Sequence, residues 1–482
     1  LEYSAQCIKN HGLKHEVVVT LMDLPPNCTG AHDVPFYEKT LRSILDSGLP
    51  FDSVCFKDAS GTSSPQKVFD TIKMARNLLG DSTHIRLHTH ETAGVSIACY
   101  LAALEAGADG IDLAASPVSG GTSQPDILTM LHAVKGKNFD LGGLEIDKIL
   151  KYEETLAHCL KDYFLPPEAT QVSPLIPFSP MPGGALTANT QMMRDNGTLD
   201  KFPEVIKAMR EVVEKGGYGT SVTPVSQFYW QQAYANVMFG PWKQIAPGYG
   251  RMVLGYFGRT PVAPDPEIVA LASEKLKLQP TSENPLDIAD RDEKKKISVW
   301  KQRLELEGIE TSEENIFIAA ACDEKGIAFL KGESPLNVRK NDNKICNSGE
   351  NKMANASGNY TVVVDGQKFN VTIAEGNANI QVTPVASTAP VAAAPVAQVV
   401  TPAPVAATPA YSGTVVPAAV NGAVWKILVK EGDRVEKDQQ IMILEAMKME
   451  IDITAPVAGV ITKILVNTTD AVEEGQSLAF IG

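Results

Sequence analysis

From Leu1 to about Val134, short apolar runs alternate with amphipathic stretches at a spacing of about 30 residues. Glu16–Met22, Ser53–Phe56, Ile85–His88 and Gly110–Leu113 have the length and composition of strands. Between them, Pro35–Ser47, Pro65–Leu79 and Gly94–Ala106 carry apolar residues at helical spacing. Strands separated by helices cannot pair as hairpins, so the pattern predicts βαβ units and a parallel sheet. In α/β barrels chemistry gathers at the C-terminal ends of the strands. Polar residues stand at those ends here: Asp23, Lys57-Asp58, His88-Thr89-His90 and Ser116. Only four βα units are visible, whereas a closed (β/α)8 barrel needs eight. Either the sheet is a smaller α/β one, or half of a barrel lies upstream of Leu1. Residue 1 is Leu, and Leu1–Gly12 already reads as the middle of an amphipathic helix.

Further along, Gly143–Lys340 is mainly helical in pattern. Asp265-Pro266 is an N-cap and first-turn pair for Glu267–Leu276. Thr311-Ser312-Glu313-Glu314 starts a helix through Asn315–Ala321. Asn341–Ser357 is polar loop, and Tyr360–Ile373 predicts a hairpin about Asp365-Gly366. Pro384–Ala410 is almost entirely Ala, Pro, Val and Thr, which cannot bury a core and favours an extended course. Fully extended it would reach about 80 Å, the kind of segment that lets one domain travel relative to another. The last 72 residues repeat: Val420–Val429 recurs as Val457–Val466, and the offset of 37 persists through Asp433/Asp470, Val435/Val472 and Gln439/Gln476. Short strands repeated once, without a helix pattern, predict a small two-fold β-sandwich. Glu445-Ala446-Met447-Lys448-Met449-Glu450 is the turn between its halves.

Composition narrows the function. The 43 Lys and Arg against 57 Asp and Glu leave a net charge of −14, which argues against nucleic acid as main partner. The longest uncharged, mostly apolar tract, Gly376–Trp425, is too rich in Pro and small polar residues to span a bilayer. Seven scattered cysteines without a CxxC read as reduced thiols in a cytoplasmic protein.

Two constellations carry chemistry. Lys448, at the tip of a turn between symmetric half-domains, is presented to solvent for modification, although a lone turn lysine is usually just exposed. His88 and His90 lie two apart on a strand, so their rings share a face and can aim at one metal ion. The alternative is a pair that only hydrogen-bonds at a strand end. Lys57 ends the preceding strand and would lie beside them. Its amine is a poor ligand while protonated, but a carbamate on it becomes an oxygen donor; a salt bridge to Asp58 or a neighbour is the alternative.

These residues carry a family resemblance. Ala446-Met447-Lys448-Met449 within the repeat resembles the acceptor tetrapeptide of biotin-carrier domains; lipoyl domains place an acidic residue where Met447 stands. Phe56-Lys57-Asp58-Ala59-Ser60-Gly61, Leu87-His88-Thr89-His90-Glu91-Thr92 and Gly120-Gly121-Thr122-Ser123-Gln124-Pro125 resemble barrel motifs of the biotin-dependent carboxyltransferases. So do Met181-Pro182-Gly183-Gly184, Val222-Thr223-Pro224 and Ser226-Gln227, and the match covers most of the chain apart from loop and linker.

The resemblance implies an α/β chain in five parts. Residues 1–140 would be the C-terminal half of a (β/α)8 TIM barrel, 141–340 a helical extension, 341–383 loop and hairpin, 384–410 linker, and 411–482 a flattened all-β biotinyl/lipoyl-type domain. It implies covalent biotin on Lys448, flanked by Ala446, Met447 and Met449 and attached by a biotin protein ligase. It implies a divalent metal ion (Zn, Mn, Co or Mg) held by Lys57 as a carbamate, by His88 and His90, and by an aspartate of the first barrel strand. The motif bearing that aspartate is absent, as are the family's substrate-contacting Gln and Arg, so about four βα units are expected upstream. Thr187 matches the threonine that shuttles a proton between biotin and the substrate methyl group, a role compatible with capping a helix over Ala188–Arg194. Ala185-Leu186 departs from the family's usual Gln and aromatic residue, and Gly183-Gly184 would let the backbone approach the biotin ring.

The implied activity moves a carboxyl group between carboxybiotin and pyruvate, forming oxaloacetate through a metal-stabilised enolate. No glycine-rich nucleotide loop is present, so ATP-dependent loading of biotin would need a separate biotin carboxylase subunit. The favoured reading is thus the transferase subunit of a two-subunit pyruvate carboxylase, in a homo-oligomer. The alternative is the α subunit of a sodium-pumping oxaloacetate decarboxylase working with membrane subunits at the inner membrane. A third reading, with half the barrel missing, is a non-catalytic biotin carrier.

Overall fold

The computed structural model describes residues 2–293, 296–333, 340–341, 358–364, 367–373, 413–420, 422–446, 449–468, 470–472 and 475–482. A helix, α1 (Glu2–Asn10), precedes four parallel strands, β1 (Glu16–Leu21), β2 (Ser53–Asp58), β3 (His84–Thr89) and β4 (Gly110–Ile111), which lie side by side in that order. Helices α2 (Val34–Asp46), α3 (Pro65–Leu79) and α4 (Ser96–Ala106) connect them. The Asp33 and Ser64 side chains accept from the Phe36 and Lys67 N–H groups, each just ahead of a proline in the first helical turn. The predicted βαβ alternation is therefore present. β4 is shorter than Gly110–Leu113; Ala114 instead bridges Asp126, in the next loop.

Period-two alternation gives the sheet two unlike faces. Val54, Phe56, Ile85 and Leu87 point one way and are fully buried with Tyr37, Leu41, Val68, Ile72 and Tyr100 of the helices. Each such aliphatic or aromatic side chain contributes about 1.5–3 kcal/mol on burial. The other face carries Glu16, Val18 and Thr20 on β1, Ser53, Cys55 and Lys57 on β2, and His84, Arg86 and His88 on β3. Val18 there is 50% exposed. One face is core; the other is mostly polar.

The chain then runs through α5 (Ile127–Ala133), α6 (Ile146–Leu160), α7 (Pro167–Thr170), α8 (Gly183–Asp195), α9 (Phe202–Lys215), α10 (Val225–Phe239), α11 (Pro247–Val253), α12 (Pro266–Leu276), α13 (Pro285–Asp290), α14 (Ile297–Leu306) and α15 (Glu313–Leu330). Val205, Ile206, Met209, Val212 and Val213 form one stripe of α9, buried in the same core as Tyr229, Trp230 and Ala233 of α10. Asp265 caps α12 as expected, and Ser312 caps α15. α15 outruns the predicted Asn315–Ala321 because the chain resumes helical geometry after a kink at Asp323.

The C-terminal strands are β7 (Thr414–Pro417), β8 (Gly422–Ile427), β9 (Arg434–Val435), β10 (Gln440–Ala446), β11 (Met449–Thr454), β12 (Gly459–Ile464), β13 (Ala471–Val472) and β14 (Ser477–Ile481); β5 (Gly358–Val364) and β6 (Gln367–Ile373) precede them as an antiparallel pair. Two four-stranded antiparallel sheets result, ordered β11-β10-β8-β13 and β7-β14-β12-β9. Adding the 37-residue offset turns β8 into β12, β9 into β13 and β10 into β14, so one sheet maps onto the other. The internal repeat is a structural two-fold.

By contact the chain divides into two units, Leu1–Lys161 with Leu165–Leu336 and Tyr411–Gly482 in one, and Asp162–Phe164 with Asn337–Ala410 in the other. In the second, Tyr163 bridges Lys340, whose ammonium lies 5.4 Å from the Tyr163 ring centre. Asp365-Gly366 and Pro384–Ala410 lie outside the described residues. The six described cysteines are all free thiols. No described helix is long and apolar enough to cross a membrane.

Candidate active site

Parallel register sets Lys57 of β2 directly beside His88 of β3. His90 follows two residues later, just past the end of β3, and brings its Nε2 to 3.2 Å from the Nε2 of His88. Two imidazole nitrogens at that distance share either one N–H or a cation. Both opposite ring nitrogens are already engaged. His88 Nδ1 is 2.8 Å from Asp112 Oδ2, and His90 Nδ1 is 2.7 Å from the Thr122 carbonyl oxygen. Each acceptor takes an N–H at Nδ1, so that in a neutral ring Nε2 is the lone-pair nitrogen, which is how metal-binding histidines are oriented. Two nitrogens at zinc-like bond lengths and a tetrahedral angle stand about 3.3 Å apart. The donor set therefore fits a divalent cation. Among the described residues no group of three or more His, Cys, Asp or Glu is arranged to hold one.

Burial lowers His90 to a pKa of about 4, helped by the nearby His88 and Lys57 charges and opposed by the Thr122 bond. The ring is thus neutral, and a donor, at ordinary pH. Asp112 is held below the usual carboxylate range, chiefly by its hydrogen bond with His88 and also by Arg86. Arg86 joins Asp112, at 3.2 Å, to Glu16 of β1. A charged row thus crosses the polar face of the sheet toward His88.

Lys57 makes no salt bridge with Asp58. Asp58 points to the other face, where it is fully buried and accepts from the Gly61 and Ser63 N–H groups at 3.0 and 2.7 Å. Burial pushes its pKa up. Its bonds shape the turn Ala59-Ser60-Gly61 after β2, and the Ala59 carbonyl accepts from the Gly183 N–H at 3.1 Å. That bond seats the start of α8 over the strand ends.

α8 begins at Gly183, so Thr187 lies within the helix rather than capping one over Ala188–Arg194. Its hydroxyl is 3.2 Å from the Gly183 carbonyl, one turn back, and 2.8 Å from the hydroxyl of Thr122. A Cβ on Gly183 would run into the Thr122 carbonyl and stand 2.7 Å from His90 Nδ1, whereas Gly184 faces open space. Close approach at Gly183 is thus to the Gly120–Thr122 loop, and the free side belongs to Gly184. Gln124 Nε2 also reaches to 3.4 Å from His88 Nε2.

Lys57, His88, His90 and Thr187 thus gather at one end of the sheet. Met447 and Lys448 lie outside the described residues. Ala446 and Met449 are the paired last and first residues of β10 and β11 that flank them. The sequence reading did not single out Asp112, Thr122 or Arg86. Asp112 had a signal in its position two residues beyond Gly110, on the face shared with His88. Thr122 had only its place inside the Gly120–Pro125 motif.

The conserved carboxylase domain matches residues 176–381, and the biotin-requiring enzyme domain matches residues 411–481. The chain is 30% identical over 432 residues to one of the subunits of the pyruvate carboxylase of Methanocaldococcus jannaschii, covering 87% of this chain and 68% of that one. It is 29% identical over 348 residues to the methylmalonyl-CoA carboxyltransferase 5S subunit of Propionibacterium freudenreichii subsp. shermanii, covering 71% and 68%. The carboxyl transferase domain of Rhizobium etli pyruvate carboxylase, solved with pyruvate, shares the fold with a TM-score of 0.57 at 20% identity; the match covers 77% of this chain and spans 63% of that one. The terminal β-domain is of the kind that carries covalent biotin. The chain belongs to the biotin-dependent carboxyltransferase family.

Proposed function

We propose that the protein moves a carboxyl group between biotin on Lys448 and pyruvate, interconverting pyruvate and oxaloacetate. The observation that carries this reading is the meeting of two kinds of group at one strand end: converging imidazole nitrogens beside Lys57, and a hydroxyl pair on the loop and helix above them. Lys57 as a carbamate, His88 and His90 would hold a divalent metal ion, whose chemistry is Lewis acidity toward a keto oxygen. Thr187 Oγ1 moves the proton lost by the substrate methyl group. A hydroxyl suits this because it donates and accepts within one geometry. Gly184, open on its outer side, leaves the start of α8 accessible to a flat ring.

The Ala/Pro-rich composition of residues 384–410, read as a linker, supports a carrier domain that visits more than one site at high effective concentration. The Methanocaldococcus jannaschii relative is by name one subunit among others of its pyruvate carboxylase, which supports a separate biotin carboxylase subunit as partner. The test uses the full-length biotinylated protein. Thr187→Ala should keep its bound metal and lose at least about 100-fold in carboxyl transfer between oxaloacetate and biotin. Wild-type turnover in that variant removes Thr187 from the reaction. Adding a biotin carboxylase subunit with ATP and bicarbonate should give net oxaloacetate. Turnover only with membrane subunits and sodium would overturn that part in favour of the decarboxylase.

A further inference from the structure

Thr122 is bonded through its backbone and its side chain. Its N–H donates to the Ala169 carbonyl at 2.9 Å, and its own carbonyl accepts from His90 Nδ1 at 2.7 Å. Gly121, just before it, has φ +51° and leaves no room for a Cβ against the Ala169–Thr170 backbone. Backbone groups of Thr122 thus already tie the loop to Ala169 and to His90. Its hydroxyl repeats the Ala169 contact, at 3.2 Å, and also lies 2.8 Å from the Thr187 hydroxyl.

Two hydroxyls carry two protons, and two carbonyls flank them: Ala169 O at 3.2 Å from Thr122 Oγ1, and Gly183 O at 3.2 Å from Thr187 Oγ1. Two arrangements satisfy the pair. Either Thr187 donates to Thr122 and Thr122 to Ala169, or Thr122 donates to Thr187 and Thr187 to Gly183. The direction of the shared bond sets where the Thr187 proton points. We infer that Thr122 is the positioning residue for Thr187: its hydroxyl holds Thr187 Oγ1 in place and turns to donate to it whenever Thr187 gives its proton away. This rests on the proposed role of Thr187.

The test compares Thr122→Val, Thr122→Ser, Thr187→Ala and the double variant Thr122→Val/Thr187→Ala in the full-length biotinylated protein. Valine keeps the shape and both backbone bonds but removes the hydroxyl. Thr122→Val should lower kcat for carboxyl transfer by about 10- to 100-fold, with KM for pyruvate and bound metal unchanged. Its crystal structure should show the Thr187 hydroxyl bonded to the Gly183 carbonyl alone. Thr122→Ser should restore the rate, and the double variant should be no slower than Thr187→Ala, since both changes break one relay. A Thr122→Val protein at wild-type rate, with Thr187→Ala inactive, overturns this inference alone. A Thr187→Ala protein at wild-type rate overturns the underlying reading instead. Equal loss of metal in the Val and Ser variants would reduce Thr122 to a loop support and also overturn the inference.

Discussion

At the scale of single residues, the site depends on which ring nitrogen of each histidine carries the proton. Asp112 accepts from His88 Nδ1, and its second oxygen is held by Arg86. An asparagine there keeps the shape but can present an N–H to the same nitrogen, which would favour the tautomer with the proton on Nε2. Asp112→Asn should therefore weaken metal binding by about 10- to 100-fold, read by titrating the variant with zinc or manganese, while circular dichroism stays that of the wild type. Unchanged affinity would show that Asp112 does not orient His88. The meeting of His88 and His90 was legible from their HxH spacing, and Lys57 falls beside His88 by parallel register. Asp112 was not, because its partner is 24 residues away and only the register of β3 against β4 brings the two together.

At the scale of elements, strand and helix existence was plain from periodicity, while the docking of elements was not. α8 illustrates the difference. Its first residue sits against the Gly120–Thr122 loop so closely that a Cβ would meet Thr122 and His90, yet Gly184 beside it is open. A Gly-Gly pair reads the same at both positions in sequence. Gly183→Ala should cost about 1–3 kcal/mol through overpacking, whereas Gly184→Ala should be neutral or slightly stabilising, as alanine is the better helix former. Urea unfolding of the two variants decides it, and equal midpoints would mean that α8 does not press on the loop. The helix is fixed from behind as well, where Asn189 and Gln227 of α10 exchange reciprocal amide bonds at 3.1 Å. The predicted helix cap at Thr187 failed for a related reason. The backbone turns helical four residues earlier, once the Gly183 N–H finds the Ala59 carbonyl.

At the scale of the whole molecule, the 37-residue repeat had already implied the two-fold of the β-domain, since strand exchange between sheets follows once each half must pair with the other. Long-range joints left no such trace. His32, fully buried in the loop after β1, is one of them: its Nε2 donates to the carbonyl of Tyr218, beyond α9, at 2.8 Å, and its Nδ1 meets the Tyr37 hydroxyl at 3.2 Å. Burial lowers its pKa, the Tyr218 bond and the Asp33 and Asp23 charges opposing the shift and the Lys67 charge adding to it. The folded protein thus resists protonation that the unfolded chain accepts near pH 6.5. The stability linked to His32 is fully present above that pH and is lost as pH falls through the window toward the lowered value. One group contributes at most about 1.4 kcal/mol per pH unit. His90, lowered to about 4, adds a slope of the same sign, and the buried Asp58, with its raised pKa, adds one of opposite sign above the ordinary carboxylate pKa. His32→Gln removes only the first of these. Its unfolding free energy should start below the wild type at pH 7.5 and fall less steeply between pH 6.5 and 5. Parallel curves across that range would mean that His32 does not titrate with folding, and that the joint between the sheet and the helices beyond α9 is indifferent to pH.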